Sequence, residues 1–423
     1  ISPARRPLIG TLQIPGDKSL SHRALMFGAL AEGTTQVHGL LPSADVQSTA
    51  ACLRQMGVQI TSTAGVTEVY GVGLQGLQAP DAPLDCGNSG TTMRLMMGLL
   101  AGQQFATTLI GDPSLSRRPM GRVATPLREM GAQITLTDAR FAPVHIQGTS
   151  LHGISYALPV ASAQVKSALL LAGLYAAGTT QLTGLIASRD HTERLLPWFG
   201  VPVSVSPEQI VIHSGARLKA QTLTIPGDPS SAAFWVTAAA LVPGSHLILE
   251  NVLFNPGRIG LIQVLQRMGA NITLTYQQTE PESVGRVEIR YAPLRGTVVG
   301  ADEIPALVDE VPLLALLATQ AQGRTEVRGA EELRVKESDR LAAVADNLRA
   351  MGAELTLFED GFWIDGPQAL HGATITTHAD HRIAMTFALA ALIAASEVII
   401  PDPECAAISY PSFFTELDAF TRG

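Results

Sequence analysis

Apolar and polar positions along this chain recur in one fixed order. A nearly unbroken apolar run closes on a glycine turn, and a short stretch of alternating polar and branched residues follows. This is the pattern of a buried helix and then a strand. It appears as ALAEGTTQVHG, LLAGQQFATTLIG, LYAAGTTQLTG, ALVPGSHLILEN and LATQAQGRTEVRG, and in degenerate form as LIAASEVIIPD. The turn positions Gly33, Gly102, Gly178, Gly244, Gly323 and Ala395 are separated by 69, 76, 66, 79 and 72 residues, too even for chance. A second pattern follows each of the first five, as LRQMGVQI, LREMGAQI, LLPWFGVPV, LQRMGANI and LRAMGAEL. It predicts an amphipathic helix ended by a C′ glycine and followed by a strand. The chain is therefore expected to hold six copies of a unit with two helices and several short strands.

A higher repeat groups the units by three. Leu12-Gln-Ile-Pro-Gly-Asp-Lys-Ser recurs as Leu223-Thr-Ile-Pro-Gly-Asp-Pro-Ser, an offset of 211 residues, half of the 423. The expected architecture is two similar α/β domains of three units each, residues 16–226, and residues 1–15 with 227–423. Each Pro-Gly-Asp segment taken alone is as good a plain turn as a crossover. Their placement half a chain apart favours a two-strand crossover, since Pro fixes φ and Gly tolerates unusual backbone angles.

Composition narrows the class. With 46% hydrophobic and 16% charged residues, disorder is excluded. Lys+Arg 29 against Asp+Glu 37 gives −8, which argues against nucleic-acid binding. Three scattered cysteines, Cys52, Cys86 and Cys405, form no CxxC and fit a reducing compartment. The opening Ile-Ser-Pro-Ala-Arg-Arg carries no apolar run of the signal-peptide kind. The longest apolar stretch, Thr386 to Ile400, is shorter than the roughly 20 residues that span a bilayer. A cytoplasmic, monomeric globular protein without a membrane partner is expected.

Against this charge-poor background, basic residues cluster at predicted helix starts. In Asp17-Lys18-Ser19-Leu20-Ser21-His22-Arg23 a serine at 19 or 21 is expected to cap a helix, with Lys18 at its mouth. A capped surface helix explains this motif equally well on its own. Cys86-Gly87-Asn88-Ser89-Gly90-Thr91-Thr92-Met93-Arg94 reads as a backbone nest opening a helix, or as a tight turn without a ligand. Cys86 reads as buried filler rather than a nucleophile. Arg117, Arg118 and Arg122 crowd a loop with no acidic partner nearby in sequence. Ala161 to Ser167 opens a very apolar helix with Ser162, Gln164 and Lys166. In Arg334 to Arg340, helical spacing pairs Lys336 with Arg340 and with Glu332, and sets Glu337 beside them. Asp309-Glu310 and Asp380-His381-Arg382 precede apolar runs, where carboxylates usually cap. No motif has metal-ligand or nucleotide-loop spacing, so neither metal nor cofactor is expected. Equivalent helix ends in repeated units point the same way. They predict two faces of helix N-termini and basic side chains opposed across a cleft, suited to small polyanions.

PGDKSLSHR, GNSGTTMR, SLSRRPMGR, ASAQVKSALLLAGL, RVKESDRL and DHRIAM, in this order, resemble the 5-enolpyruvylshikimate-3-phosphate synthases over nearly the whole chain. The resemblance implies the enolpyruvyl transferase-like fold, an inside-out α/β barrel of three βαβαββ repeats in each domain. It implies transfer of an enolpyruvyl group from phosphoenolpyruvate to the 5-hydroxyl of shikimate 3-phosphate, with release of phosphate, on the route to chorismate and aromatic amino acids. Position by position, it implies that Lys18, Ser19, Arg23, Ser162, Gln164 and Ser188 bind shikimate 3-phosphate, with Asp309 and Lys336. Lys18, Asn88, Gly90, Arg118, Gln164, Arg340, His381 and Arg382 fall at the phosphoenolpyruvate site. Asp309 is expected to take the proton of the 5-hydroxyl, and Glu337 to protonate the vinyl carbon. Lys18 is a second proton-transfer candidate.

The chain departs from the family pattern at Ile408, where many members carry lysine, at Glu332, and at Ala163. With RDHTER after Ser188, these departures point to a divergent bacterial branch and make Arg189 an added phosphate contact. Gly90 is expected to leave room for the inhibitor glyphosate. UDP-N-acetylglucosamine enolpyruvyl transferases, which share the fold, usually hold a reactive cysteine in the loop that here reads Asp112 to Ser116. RNA 3′-phosphate cyclases use related repeats, but the acidic balance and 5% aromatic content oppose that reading.

Overall fold

A computed structural model describes residues 1–278 and 280–422. The chain divides into two compact units, Gly16–Ile225, and Ile1–Pro15 with Pro226–Gly423. In the first of these the helices are α1 (Lys18–Leu30), α2 (Ala44–Gln55), α3 (Gly90–Ala101), α4 (Gly121–Glu129), α5 (Ala163–Gly173) and α6 (His191–Trp198). α1, α3 and α5 are mostly apolar and are buried along almost their whole length, with His22, Arg23, Arg94 and Lys166 among their buried residues. α3 packs on both of the others. α2, α4 and α6 keep polar faces and lie at the edge of the core.

One strand arrangement recurs. Leu84–Asp85 runs parallel to Ala106–Ile110, which pairs antiparallel with Phe141–Gln147, itself antiparallel to Gln133–Thr137. Ser155–Leu158, Thr179–Gly184, Ile210–His213 and Val203–Val205 repeat that order. In the remaining sheet of this unit, Ala31–His38 takes its parallel neighbours, Leu218–Lys219 and Thr222–Thr224, from the far end of the unit. Its other neighbour is Val66–Val72, paired in turn with Gln59–Thr63.

In the other unit the helices are α7 (Pro229–Leu241), α8 (Gly260–Arg267), α9 (Val311–Ala318), α10 (Arg340–Ala350), α11 (His381–Ile393) and α12 (Phe413–Arg422). The buried helices α7, α9 and α11 pack on one another. Ile9–Gln13 runs parallel to His246–Leu253 and heads a sheet of the same order, and Val298–Val299 heads another. The last repeat is the degenerate one: among the described residues its parallel pairing is the single bridge Thr374–Ile399, and α12 closes it.

Each strand that leads into a Pro-Gly-Asp segment therefore takes the same parallel place in its sheet. The chain passes from one unit to the other immediately afterwards, after Pro15 and again after Ile225. Glycine is required at the first of these turns, because a Cβ on Gly16 would lie 2.1 Å from the Gly39 carbonyl oxygen. Among the described residues the sheets are separate and open-ended, and no strand pairing closes them into a barrel. No described helix is long and apolar enough to cross a membrane.

Candidate active site

In the unit Gly16–Ile225, the starts of α1, α3 and α5 are joined by side-chain hydrogen bonds. The cap of α1 is Asp17, which holds an extended backbone (φ −61°, ψ 127°) and accepts from the Leu20 amide at 2.7 Å. Ser19 and Ser21, expected as caps, lie inside the helix. Asp17 holds the non-helical, extended backbone of a cap, so its carboxylate meets the Leu20 amide, whereas both serines already have helical geometry. Ser21 Oγ instead accepts from the Leu41 amide at 3.1 Å. Lys18 is the first helical residue, its ammonium 3.1 Å from Asp45 Oδ2. Arg23, one turn on, donates to Ser19 O at 2.9 Å, to Ser167 Oγ at 2.7 Å and to Thr192 Oγ1 at 2.8 Å. One guanidinium thus ties α1 to α5 and α6.

Ser89 caps α3 by accepting from the Thr92 amide at 3.1 Å, and Ser162 caps α5 through the Val165 amide at 3.4 Å. Between the two helices Arg94 donates to Gln164 Oε1 at 2.6 Å, and Gln164 donates to Thr91 Oγ1 at 3.1 Å. Arg118, from the arginine-rich loop, is buried over Gly90 and donates to Asn88 O at 3.4 Å. Its neighbour Arg117 is exposed. Asn88 Nδ2 donates to Asp112 Oδ2 at 2.7 Å. Ser188 and Arg189 stand just before α6. The Ser188 hydroxyl oxygen is buried and makes no hydrogen bond among the described residues. Beneath Lys18, His22 bonds Thr49 at 2.7 Å, and burial followed by the charges of Lys18 and Arg23 pushes its pKa well below the ordinary histidine value. His22 is therefore neutral. A hydrogen bond with Cys52, and then burial, raise the Cys86 thiol well above the ordinary range, which fits filler rather than a nucleophile.

In the other unit the chemistry gathers on one guanidinium. Arg340, 1% exposed, donates to Asp380 at 2.8 and 3.2 Å, to Glu337 Oε2 at 2.6 Å and to Asp309 Oδ1 at 3.3 Å. Burial opposes its charge, but Asp380 and Glu337 more than offset that and hold its pKa above the ordinary arginine value. Burial would likewise raise the Asp380 carboxyl, yet Arg340 holds it below the usual carboxylate range. Asp380 also caps α11 through the Arg382 amide at 3.0 Å. Arg382 reaches back to Asp309 O at 3.2 Å and Glu310 Oε1 at 3.3 Å. His381 is buried at the first position of α11.

Two expectations change here. Lys336 and Arg340 do not share a helix. The segment Glu331–Val335 is a 3-10 turn, the chain then leaves helical geometry at Lys336 (ψ −149°), and α10 begins only at Arg340, capped by Asp339. Lys336 keeps Glu332 at 3.8 Å, and burial lowers the pKa of its ammonium against the pull of Asp309 and Glu332. Nor do Asp309 and Glu310 cap α9: they sit in a 3-10 turn and spend their carboxylates on Arg340 and Arg382. Ile408 ends the 3-10 turn Pro403–Ile408.

The sequence assigns no role to Asp45, Arg94 or Glu193, gives Glu310 only that of a helix cap, and leaves Lys166 as one member of a polar cluster. A lysine inside so apolar a run as Val165 to Leu171 is the one available signal, since a buried ammonium requires a carboxylate somewhere.

Residues 3–417 match the sequence profile of EPSP synthase (3-phosphoshikimate 1-carboxyvinyltransferase). A 3-phosphoshikimate 1-carboxyvinyltransferase of Acidithiobacillus ferrooxidans is 53% identical over 408 residues, 96% of this chain and 94% of that one. One from Bacillus thuringiensis is 47% identical, covering 100% of this chain and 99% of its own. The EPSP synthase structure from Acinetobacter baumannii superposes with a TM-score of 0.88 at 44% identity, covering 100% of this chain and 97% of that one. The enolpyruvyl transferase NikO from Streptomyces tendae shares the fold, with a TM-score of 0.79 at 18% identity over 99% of this chain and 96% of its own.

Proposed function

This chain belongs to the EPSP synthase family, and we propose that the residues gathered at its helix starts carry the family's reaction in the roles that follow. The protein is an enzyme of the shikimate pathway. It transfers the enolpyruvyl group of phosphoenolpyruvate to the 5-hydroxyl of shikimate 3-phosphate and releases phosphate. Ser19, Arg23, Ser162, Gln164, Ser188 and Arg189 bind shikimate 3-phosphate. Asn88, Gly90, Arg118 and Gln164 bind phosphoenolpyruvate, and Lys18 touches both substrates. Helix N-termini and guanidinium groups suit the phosphates and the carboxylates.

Asp309, with Lys336 beside it, takes the proton of the 5-hydroxyl as that oxygen attacks C2 of phosphoenolpyruvate. Glu337 protonates the methylene carbon, and Arg340, His381 and Arg382 hold the anion. The product of this step is a tetrahedral intermediate. Loss of a proton from the new methyl group and of phosphate from C2 then restores the enol ether. Fixing both reactants lowers the barrier by roughly 7–11 kcal/mol. Lys336 supports the proton-handling role, because burial lowers its pKa and eases release of a proton.

The observation that carries this reading is the Arg340 guanidinium, which donates to both Asp309 and Glu337 and so holds the base and the acid on one buried group. Asp309→Ala and Glu337→Ala should each lower kcat by about 10²- to 10⁴-fold, with circular dichroism unchanged. Ordinary turnover in both variants would contradict the assignment. Three cysteines outside any disulfide fit work in the cytoplasm, and the enzyme acts there as a monomer. Glyphosate, itself a small anion, competes at the phosphoenolpyruvate groups.

A further inference from the structure

α5 carries a lysine in its largely apolar stretch, beside Ser167. Lys166 is 1% exposed, and its ammonium lies 2.6 Å from Oε1 of Glu193, whose side chain is 3% exposed. The same ammonium donates to two backbone carbonyls, Ile186 O and Ser188 O, each at 3.2 Å. An ammonium has three donors and no acceptor, and this one is spent on a carboxylate and on a single stretch of backbone. That stretch, 186–188, links the strand Thr179–Gly184 to α6 and ends at Ser188, whose buried hydroxyl has no partner among the described residues.

The pair is one of two adjacent rungs between α5 and α6. The neighbouring rung joins Ser167 Oγ and Thr192 Oγ1 at 2.7 Å, and both of those hydroxyls accept from Arg23. One step along each helix, then, the contact changes from groups that meet the site to groups that hold its wall. A buried ion pair is weak support for stability as such, because apolar residues of similar volume often serve as well. What apolar residues cannot do is fix two carbonyls of a loop from within a helix.

Resting on the function proposed above, we propose that Lys166, held by Glu193, is a positioning residue that clamps 186–188 and so presents the Ser188 hydroxyl to the phosphate of shikimate 3-phosphate. Lys166 touches no substrate. It acts through the loop, so its loss falls on one substrate and not on the other.

The test compares wild type with Lys166→Met/Glu193→Met, which removes both charges together and leaves neither one buried alone. Amide exchange of residues 185–189 in the substrate-free protein reads the clamp without reference to any substrate, and should become faster. With melting behaviour close to wild type, KM for shikimate 3-phosphate should rise by about 10- to 100-fold, while KM for phosphoenolpyruvate stays within about twofold. Glu193→Gln, which keeps the shape, should move both readings in the same direction if the double variant does not fold. Unchanged exchange overturns the clamp. Faster exchange with an unchanged KM, or with both KM values raised alike, overturns its role in binding. Wild-type turnover is measured first in the same assay. A wild type that does not act on these substrates would defeat the functional reading, while the exchange measurement still decides the clamp.

Discussion

At position 90 one carbon atom sets the room left beside two arginines. A Cβ there would lie 2.8 Å from Arg118 Nη2, 2.9 Å from Arg118 Cζ and 3.0 Å from Arg94 Nη1. These are the far ends of flexible side chains, so Gly90→Ala should fold normally and displace Arg118. We expect an unchanged melting temperature and a raised KM for phosphoenolpyruvate. Glyphosate inhibition should weaken by about 10- to 200-fold, the range for one crowded carbon. Wild type, with the glycine, should have an inhibition constant near its KM; one far above it would contradict this reading. Asp380 gives a prediction in pH. Its folded pKa is lowered by Arg340, so it stabilises the protein above the ordinary carboxylate pKa and loses that contribution as pH falls through the lowered value. The stability gap between wild type and Asp380→Asn should therefore be full at neutral pH and shrink below about pH 4. A gap that holds constant into strong acid would contradict the assignment. The sequence shows the basic residues of the site, and those acidic partners that lie a few positions away, Glu337 for Arg340 and Glu332 for Lys336. It does not show Glu193 as the partner of Lys166, because the two are 27 positions apart and only the packing of α5 on α6 brings them together.

Helix starts decide where the chemistry can sit. Asp17, Ser89, Ser162, Asp228 and Asp380 each accept a backbone amide of the helix they open. Removing one such cap costs about 1 kcal/mol. Ser89→Ala also takes away one acceptor of the Thr92 hydroxyl, which bonds Ser89 Oγ at 2.8 Å and keeps Asp45 O and Thr49 Oγ1. It should lower the melting temperature and raise KM for phosphoenolpyruvate, through the nest that holds Asn88 and Gly90. An unchanged melting temperature would show that the cap is dispensable. Elements of strong periodicity are legible from sequence, namely the buried helices and the strands after them. Caps are less so, since Asp17, Ser19 and Ser21 are all good capping residues and only the extended backbone at Asp17 selects among them. The stretch from Glu331 to Arg340 is the clearest divergence. Spacing there reads as one helix, whereas Asp339 caps a new helix behind a 3-10 turn and so frees Lys336 and Glu337 from helical geometry.

At the scale of the whole chain, repetition carries most of the information. Among the described residues five repeats share one sheet order, and the sixth, already degenerate in sequence, keeps a single bridge in place of its sheet. Four of the buried helices, α1, α3, α5 and α11, open on residues proposed to bind or react, so one local device, an apolar helix with a polar first turn, is used again and again with different side chains. That economy is why the site is readable as a set of motifs long before any partner is known. The most direct measurement mixes the protein with phosphoenolpyruvate and shikimate 3-phosphate and follows both inorganic phosphate and the enol ether. The two products should appear in equal amounts, only when both substrates are present, and UDP-N-acetylglucosamine should not replace shikimate 3-phosphate. Phosphate without the enol ether, turnover with the sugar nucleotide instead, or no reaction at all would contradict the account.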